Sequence, residues 1–250
     1  MDLYDVQDVL RSIDAHPVPV LLAGAVANTG AYIMYLEGIR LGFRQRTYAI
    51  PVFANMYFFA HDVVFVGLFA HWFSEIDHWL FKLFWGALLV FAVLECVVHY
   101  QTIRFGRREL SPGLSPRQYV AGYVAVQAAV VVLFWFLYSN LGDPLFLVTF
   151  STTIVVAVAW YIPLLLRRGG REGQSLLLAS GLVLLNGYFL LFLPQLSDAF
   201  RTPVHYVTGA TVAVVTLVYP WLLTRYPVAA TGRPSRRTGA TGSSAPRGSR

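Results

Sequence analysis

Charge is what this chain has least of. Only 13% of its 250 residues are Asp, Glu, Lys or Arg, against 56% apolar residues and a mean hydropathy of +0.57. A soluble domain of this length needs far more charge to cover its surface. Lysine is nearly missing: Lys82 is the single one, and the other 18 basic residues are arginine. A retinal-type Schiff base on the last apolar stretch is therefore excluded, because that stretch has no lysine. Cysteine is also single, Cys96, which excludes an intramolecular disulfide and a cysteine-based metal cluster. There is no DDxxD-like acidic cluster to hold a diphosphate through Mg²⁺. No P-loop, GxSxG or HExxH occurs, so NTPase, esterase and zinc-protease chemistry lack their residues. No cofactor or metal is expected. The net charge of +6 is not laid out for nucleic acid, since the arginines sit at the ends of apolar stretches and in the carboxyl-terminal tail.

What is present is long apolar runs. A membrane-spanning helix needs roughly 20 mostly apolar residues. Seven such runs are predicted, at about 18–37, 48–72, 80–101, 117–138, 145–166, 174–193 and 204–224. The expected fold is an all-α, seven-helix membrane bundle. Sixteen of the 19 basic residues fall on one side of it and three, Arg11, Lys82 and Arg201, on the other. Cytosolic loops retain Lys and Arg, so the amino terminus is predicted outside and the carboxyl terminus in the cytosol. The arginine-for-lysine bias, with abundant Ala, Val and Gly, points to a GC-rich bacterial genome and so to a bacterial cytoplasmic membrane. No repeat relates the first three helices to the last three, which disfavours an inverted-repeat transporter.

Three regions follow. Residues 1–16 place Leu3, Val6, Leu10 and Ile13 at helical spacing among four aspartates, which reads as an amphipathic helix on the outer surface. Residues 17–225 form the transmembrane domain. Residues 226–250 are Gly, Ser, Thr, Pro and Arg and read as a disordered basic tail held weakly by anionic lipid.

Ionisable groups inside a bilayer are functional by default. Eleven of the 13 acids lie in the amino-terminal helix, loops or helix ends; the exceptions are Asp62, in the second span, and Glu95, in the third. A short loop makes these spans antiparallel neighbours, so both acids can face one cavity. Counted from residue 48, Asp62 lies about 21 Å along its helix, and Glu95 is expected nearer the cytosol. Hydrocarbon disfavours a carboxylate anion, which makes a buried acid a proton donor with driving force. Phe58, Phe59 and Phe65 share the helical face of Asp62, while Phe91 and His99 flank Glu95 at four residues. Aromatic faces stabilise cations, so an acid in such a pocket can protonate an alkene or epoxide and hold the carbocation that follows. The alternative is a structural acid, hydrogen-bonded to a Tyr, Asn or His of another helix. His61 is read as a helix-contact residue, and His99 as either a partner of Glu95 or an interfacial histidine. Tyr32 and Trp160 are candidate cavity liners, with interhelical packing as the alternative.

Two stretches resemble a known family. Tyr48-Ala-Ile-Pro51, followed eleven residues after the proline by Asp62 in Phe59-Ala-His-Asp62, is similar to a Tyr-x-x-Pro segment leading to a catalytic acid. Trp85 through Glu95 to Arg104-Phe105-Gly106 is similar to a helix whose acid precedes a basic-Phe-Gly turn. Together they resemble the small integral-membrane terpene cyclases of fungal meroterpenoid and indole-diterpene pathways and their bacterial relatives, the drimentine-type cyclases of prenylated indoles. Phe58, His61 and Asp62 stand where that family usually has Asn, Trp and Glu. The last span lacks the further acid of the fungal enzymes. The resemblance implies a metal-independent cyclase that acts by general acid catalysis on a lipophilic prenylated substrate taken from the membrane lipid. Asp62 would be the proton donor and Glu95 a second acid, relay or base, with Phe58, Phe59, Phe65, Phe91, His99, Tyr32 and Trp160 around the substrate. The rival from another class is a small proton-coupled transporter that uses the two acids as a relay.

Overall fold

The computed structural model describes residues 3–228. The predicted tail falls, from residue 229 onward, outside the described residues. Among the described residues every regular element is helical, and six helices are long and apolar enough to cross a membrane. This is the build of an integral multi-pass membrane protein.

The chain opens with α1 (Val6–Ala15), whose N-cap Asp5 accepts the amides of Gln7 and Asp8 at 2.7 and 3.2 Å. Its apolar face is turned onto the protein, with Val9 and Ile13 fully buried, while Leu3 stays exposed. Tyr4 pins this segment. Its hydroxyl donates to Asp143 Oδ1 at 2.5 Å and accepts the Leu145 amide at 2.9 Å, while Asp143 Oδ2 accepts the amide and hydroxyl of Thr149. Burial, reinforced by the Asp143 charge, pushes the Tyr4 hydroxyl above its ordinary range and keeps it a donor.

The spans are α2 (Pro17–Gln45), α4 (Trp79–Phe105), α6 (Pro116–Leu141), α7 (Leu147–Arg168), α8 (Leu176–Leu185) and α10 (Pro203–Arg225), with a four-residue helix α5 (Arg107–Leu110) after α4. α8 continues through a π-helical turn (Tyr188–Phe192) into α9 (Leu193–Leu196), and together they make one crossing length of 21 residues. Starts are capped: Ser115 and Gln118 form a reciprocal box ahead of α6, and Ser175 and Thr202 cap α8 and α10. Side chains such as Val132, Phe136, Val204 and Val214 are 60% or more exposed and form the apolar outer wall.

The second predicted span is where the structure departs from the sequence pattern. Instead of 48–72, α3 runs Val52–Gly67, 16 residues or about 24 Å, short of a ~30 Å hydrocarbon core. Pro51 begins it, because proline cannot continue a helix inward from the extended residues before it. The helix breaks at Leu68, and the chain resumes as a π-helical turn, His71–Glu75. Carbonyls freed by such a break need partners when water is absent. Two indoles supply them: Trp72 Nε1 donates to Phe65 O at 2.7 Å and Trp85 Nε1 to Val66 O at 2.9 Å.

α3 packs against α4, α6 and α7, and α2 lies along α8 and against α4. The α2–α8 crossing is set by Gly30 and Gly181, which stand face to face where a Cβ on either would meet backbone at 2.5–2.6 Å. At the arginine-rich end a polar cluster ties the chain together. Glu109 accepts from Arg167 at 2.6 Å, Arg168 at 2.9 Å and Tyr48 Oη at 2.8 Å, and the Arg168 guanidinium lies 4.3 Å from the Tyr48 ring centre. Burial alone would raise the Glu109 carboxyl, but the hydrogen bond and charge of Arg168 outweigh it and hold the group below the usual carboxylate range. Burial pushes the Tyr48 hydroxyl up to about 12, against the pull of Arg168.

Candidate functional site

α3 and α4 are antiparallel neighbours, and their ends at the arginine-rich face meet where Gly106 abuts the Tyr48 ring. Asp62 follows Val52, the first residue of α3, by ten residues, and Glu95 precedes Phe105, the last of α4, by ten. Both acids thus lie about 15 Å along their helices from that face. The expected difference in depth, with Glu95 nearer the arginines, is absent. The reason is that α3 starts four residues later than the apolar run suggests, which lifts Asp62 to the level of Glu95.

At this shared level the two acids line one small cavity of about 30 Å³. Asp62 is 5% exposed and Glu95 fully buried. Phe58, four residues before Asp62, and Phe91, four before Glu95, complete the α3 and α4 walls, and α2 adds Tyr35. Phe150 of α7 and Leu185 of α8 close the far side. The Tyr35 ring stacks on Phe91 at 5.5 Å and meets the Phe58 ring edge-on at 6.4 Å. Three aromatic rings, Tyr35, Phe58 and Phe91, thus stand in the wall beside the carboxyls. The space itself takes a water molecule, not a polyene.

Each acid is held by one side chain. Tyr35 Oη donates to Glu95 Oε1, while Glu95 Oε2 has no partner among the described residues. His61 Nδ1 lies 2.7 Å from Asp62 Oδ1. His61 is indeed a helix-contact residue, meeting Phe134, Phe146 and Phe150 edge-on at 5.4–5.7 Å. Adjacency in sequence put it on another face of α3, yet those three rings clamp the imidazole so that its Nδ1 turns back to the acid. The pairing was invisible in the sequence, because it depends on side chains of α6 and α7.

Of the residues expected around a substrate, the structure brings Phe58 and Phe91 to the cavity with the two acids. Phe65 stacks on Trp72 at 4.1 Å and lines a neighbouring void of about 20 Å³. Phe59 packs edge-on against His99 at 4.9 Å, and His99 Nδ1 bonds Tyr123 Oη at 2.6 Å rather than Glu95. The partner of Glu95 is Tyr35, which the sequence reading did not single out. Tyr32 packs on Phe91 at 4.7 Å from the side of a separate cleft. Trp160 lies in a larger lateral groove of about 530 Å³ between α3, α6 and α7. That groove ends at Tyr48 and Arg167 and shares no lining residue with the acid cavity.

No protein-family model, curated protein or solved structure matches the chain.

Two further buried acids were assigned by sequence to loops or helix ends. Glu37, 5% exposed, accepts both guanidinium nitrogens of Arg40 at 2.6 and 2.8 Å and the Ser175 hydroxyl at 2.8 Å. Asp143 is the buried anchor of Tyr4. Both are saturated by donors and structural. Asp62 and Glu95 differ in that each has a single side-chain partner among the described residues, His61 and Tyr35, while Glu95 Oε2 has none.

Proposed function

We propose that this protein is a membrane-bound terpene cyclase that protonates the terminal alkene of a prenylated indole and drives a carbocation cyclisation. The observation that carries the reading is the meeting of two carboxyl groups, neither with a lysine or arginine partner among the described residues, in one aromatic-walled cavity. Asp62 Oδ–H adds its proton to the terminal alkene carbon, leaving a tertiary cation that the rings of Phe58, Phe91 and Tyr35 stabilise. The π electrons of the next alkene close a carbon–carbon bond onto that cation. The final cation loses a proton to the Glu95 carboxylate, so the reaction is a redox-neutral isomerisation. Between turnovers Glu95 gives its proton to water and Asp62 takes one from water, so hydrogen from the solvent enters the product. His61 and Tyr35 act as positioning residues for the two acids. A polyene reaches the acids only when lining side chains such as Leu88 and Phe150 give way, so the small cavity corresponds to the closed form.

In this reading α3 and the turn that follows it make the seventh crossing. The amino terminus lies outside and the arginine-rich face in the cytosol of a bacterial cytoplasmic membrane. The wild-type arginine distribution supports that orientation, and the paired indoles at the α3 break support a seventh segment held at membrane depth.

The test is turnover of a farnesylated indole diketopiperazine by membranes containing the full chain, in D₂O. A cyclised product with one deuterium on the former terminal alkene is expected. Asp62→Asn should lower the rate by about 10²–10⁴-fold, the usual worth of a general acid. Full activity of Asp62→Asn, or product without deuterium, refutes the mechanism.

A further inference from the structure

A second cavity, of about 340 Å³, lies between α2 and α4 in the half of the bundle remote from the arginine-rich face. Its rim is open to the bilayer: Thr29 and Ala25 are exposed, and Leu83 is 58% exposed. Its walls are apolar except for Asn28, Thr29 and Tyr32, whose side chains have no hydrogen-bond partner among the described residues. Unpaired amide and hydroxyl groups are costly in hydrocarbon. Three of them within five residues of α2, around one cleft, mark a place where a ligand supplies the partners.

The cleft is not isolated. Gly24, Asn28 and Phe84 line both it and a narrow void of about 10 Å³ behind it. Ala31, Leu88, Phe150 and Leu185 line both that void and the acid cavity. Shared walls thus set the cleft, the void and the acid cavity in line from the bilayer toward Asp62 and Glu95. On α2 this line follows Gly24, Asn28, Ala31 and Tyr35, and on α4 Phe84, Leu88, Phe91 and Glu95, each a stripe at helical spacing. The door is aromatic: Phe84 meets Phe192 edge-on at 5.7 Å, and Gly24 gives the Phe192 ring room, since a Cβ there would lie 3.3 Å from it. At the inner end waits Glu95 Oε2, fully buried and without a partner.

We propose that the α2–α4 cleft is the substrate site of this protein. It takes an amphiphile with a hydrogen-bonding head at Asn28, Thr29 and Tyr32 and a short polyprenyl chain directed past Phe84 toward the acid pair. The rise from Asn28 to Tyr35 is about 10 Å along α2, the span of such a chain. The assignment of the inner end to chemistry rests on the cyclase reading; binding in the cleft does not. The cleft opens in the half of the bundle away from the arginine-rich face.

The test is photolabelling of the full chain in lipid nanodiscs with a farnesylindole that carries a diazirine on the indole ring, with labelled peptides located by mass spectrometry. Label is expected on α2 around Thr29 and on α4 around Leu83, and excess unmodified farnesylindole should remove it. Ala87→Trp, which fills the cleft wall, should reduce it at least tenfold. Thr29→Trp at the exposed rim is a second plug that leaves the interior packing untouched. Asp62→Asn should leave labelling unchanged. Label centred on Trp160 and Tyr123, label spread over lipid-facing positions such as Val132, or label unaffected by both plugs overturns the proposal. The two readings fail separately. Cleft labelling without cyclised product retains the site and removes the cyclase, while turnover with label in the other groove does the reverse.

Discussion

The α2–α8 crossing offers the sharpest structural test, because the atoms that would resist a larger side chain are all backbone. A methyl group added at Gly30 would sit 2.5 Å from Gly181 O, 2.5 Å from Leu185 N and 2.9 Å from Leu184 C. Ordinary van der Waals contact begins at 3.4 Å, so α2 and α8 must part by about 0.9 Å. A gap of that size forfeits a quarter to a half of the dispersion energy of the atoms it separates. Here those atoms belong to Ala27, Ala31 and Met34 on one helix and Leu178, Leu182 and Leu185 on the other, all buried. Gly30→Ala should therefore cost about 1–3 kcal/mol, the usual penalty of overpacking. Gly181→Ala should cost a similar amount, since its Cβ would meet Gly30 O at 2.6 Å and Met34 N at 2.8 Å. Gly86 and Gly122, which have nothing within 4 Å of an added Cβ, are the internal controls. Alanine at either should be neutral or stabilising by up to about 1 kcal/mol through helix propensity. Tryptophan-fluorescence unfolding of the full chain in detergent would measure all four. If Gly30→Ala unfolds together with Gly86→Ala, the close backbone contact is wrong and so is the placement of Tyr35 that depends on it.

Tyr35→Phe removes the donor to Glu95 Oε1 while keeping the ring on Phe91. A hydrogen bond to a charged or proton-sharing group is worth about 1.5–3 kcal/mol, so kcat in the farnesylindole assay should fall about ten- to a hundredfold with its pH profile displaced. An unchanged profile would make Tyr35 a packing residue only. Tyr4→Phe strands Asp143 Oδ1 and the Leu145 amide and should destabilise the chain by about 1–3 kcal/mol, with increased proteolysis ahead of α2 as the readout. Glu109 is held below the ordinary glutamate value of 4.5, so its contribution to stability is complete above that pH and is lost as pH falls through the depressed value. Thermal stability of the wild type should drop on acidification below 4.5 more steeply than that of Glu109→Gln, and parallel curves would remove Glu109 from the account.

Much of the molecule is legible in its sequence. Long apolar runs dictate membrane helices, because a chain poor in charge cannot cover itself in water, and six of the seven runs became helices of crossing length. The seventh shows the limit of that reasoning. Hydropathy cannot see that α3 breaks at Leu68, since the break is tolerated only where Trp72 and Trp85 reach back to the freed carbonyls. The sequence likewise marked Asp62 and Glu95 as the two acids within spans, and it placed Phe58 and Phe91 on their faces. Periodicity ranks positions around one helix axis. It says nothing of how far one helix slides or rotates against another. That relative placement was decided by the late start of α3 at Pro51 and by the close contact of Gly30 with Gly181. From it follow the common level of the two acids, the turn of His61 toward Asp62, the choice of Tyr35 rather than His99 for Glu95, and the void that leads outward between α2 and α4. Sequence alone determined which groups sit in hydrocarbon; only tertiary packing decided which of them meet, because that depends on backbone approach between helices far apart in the chain.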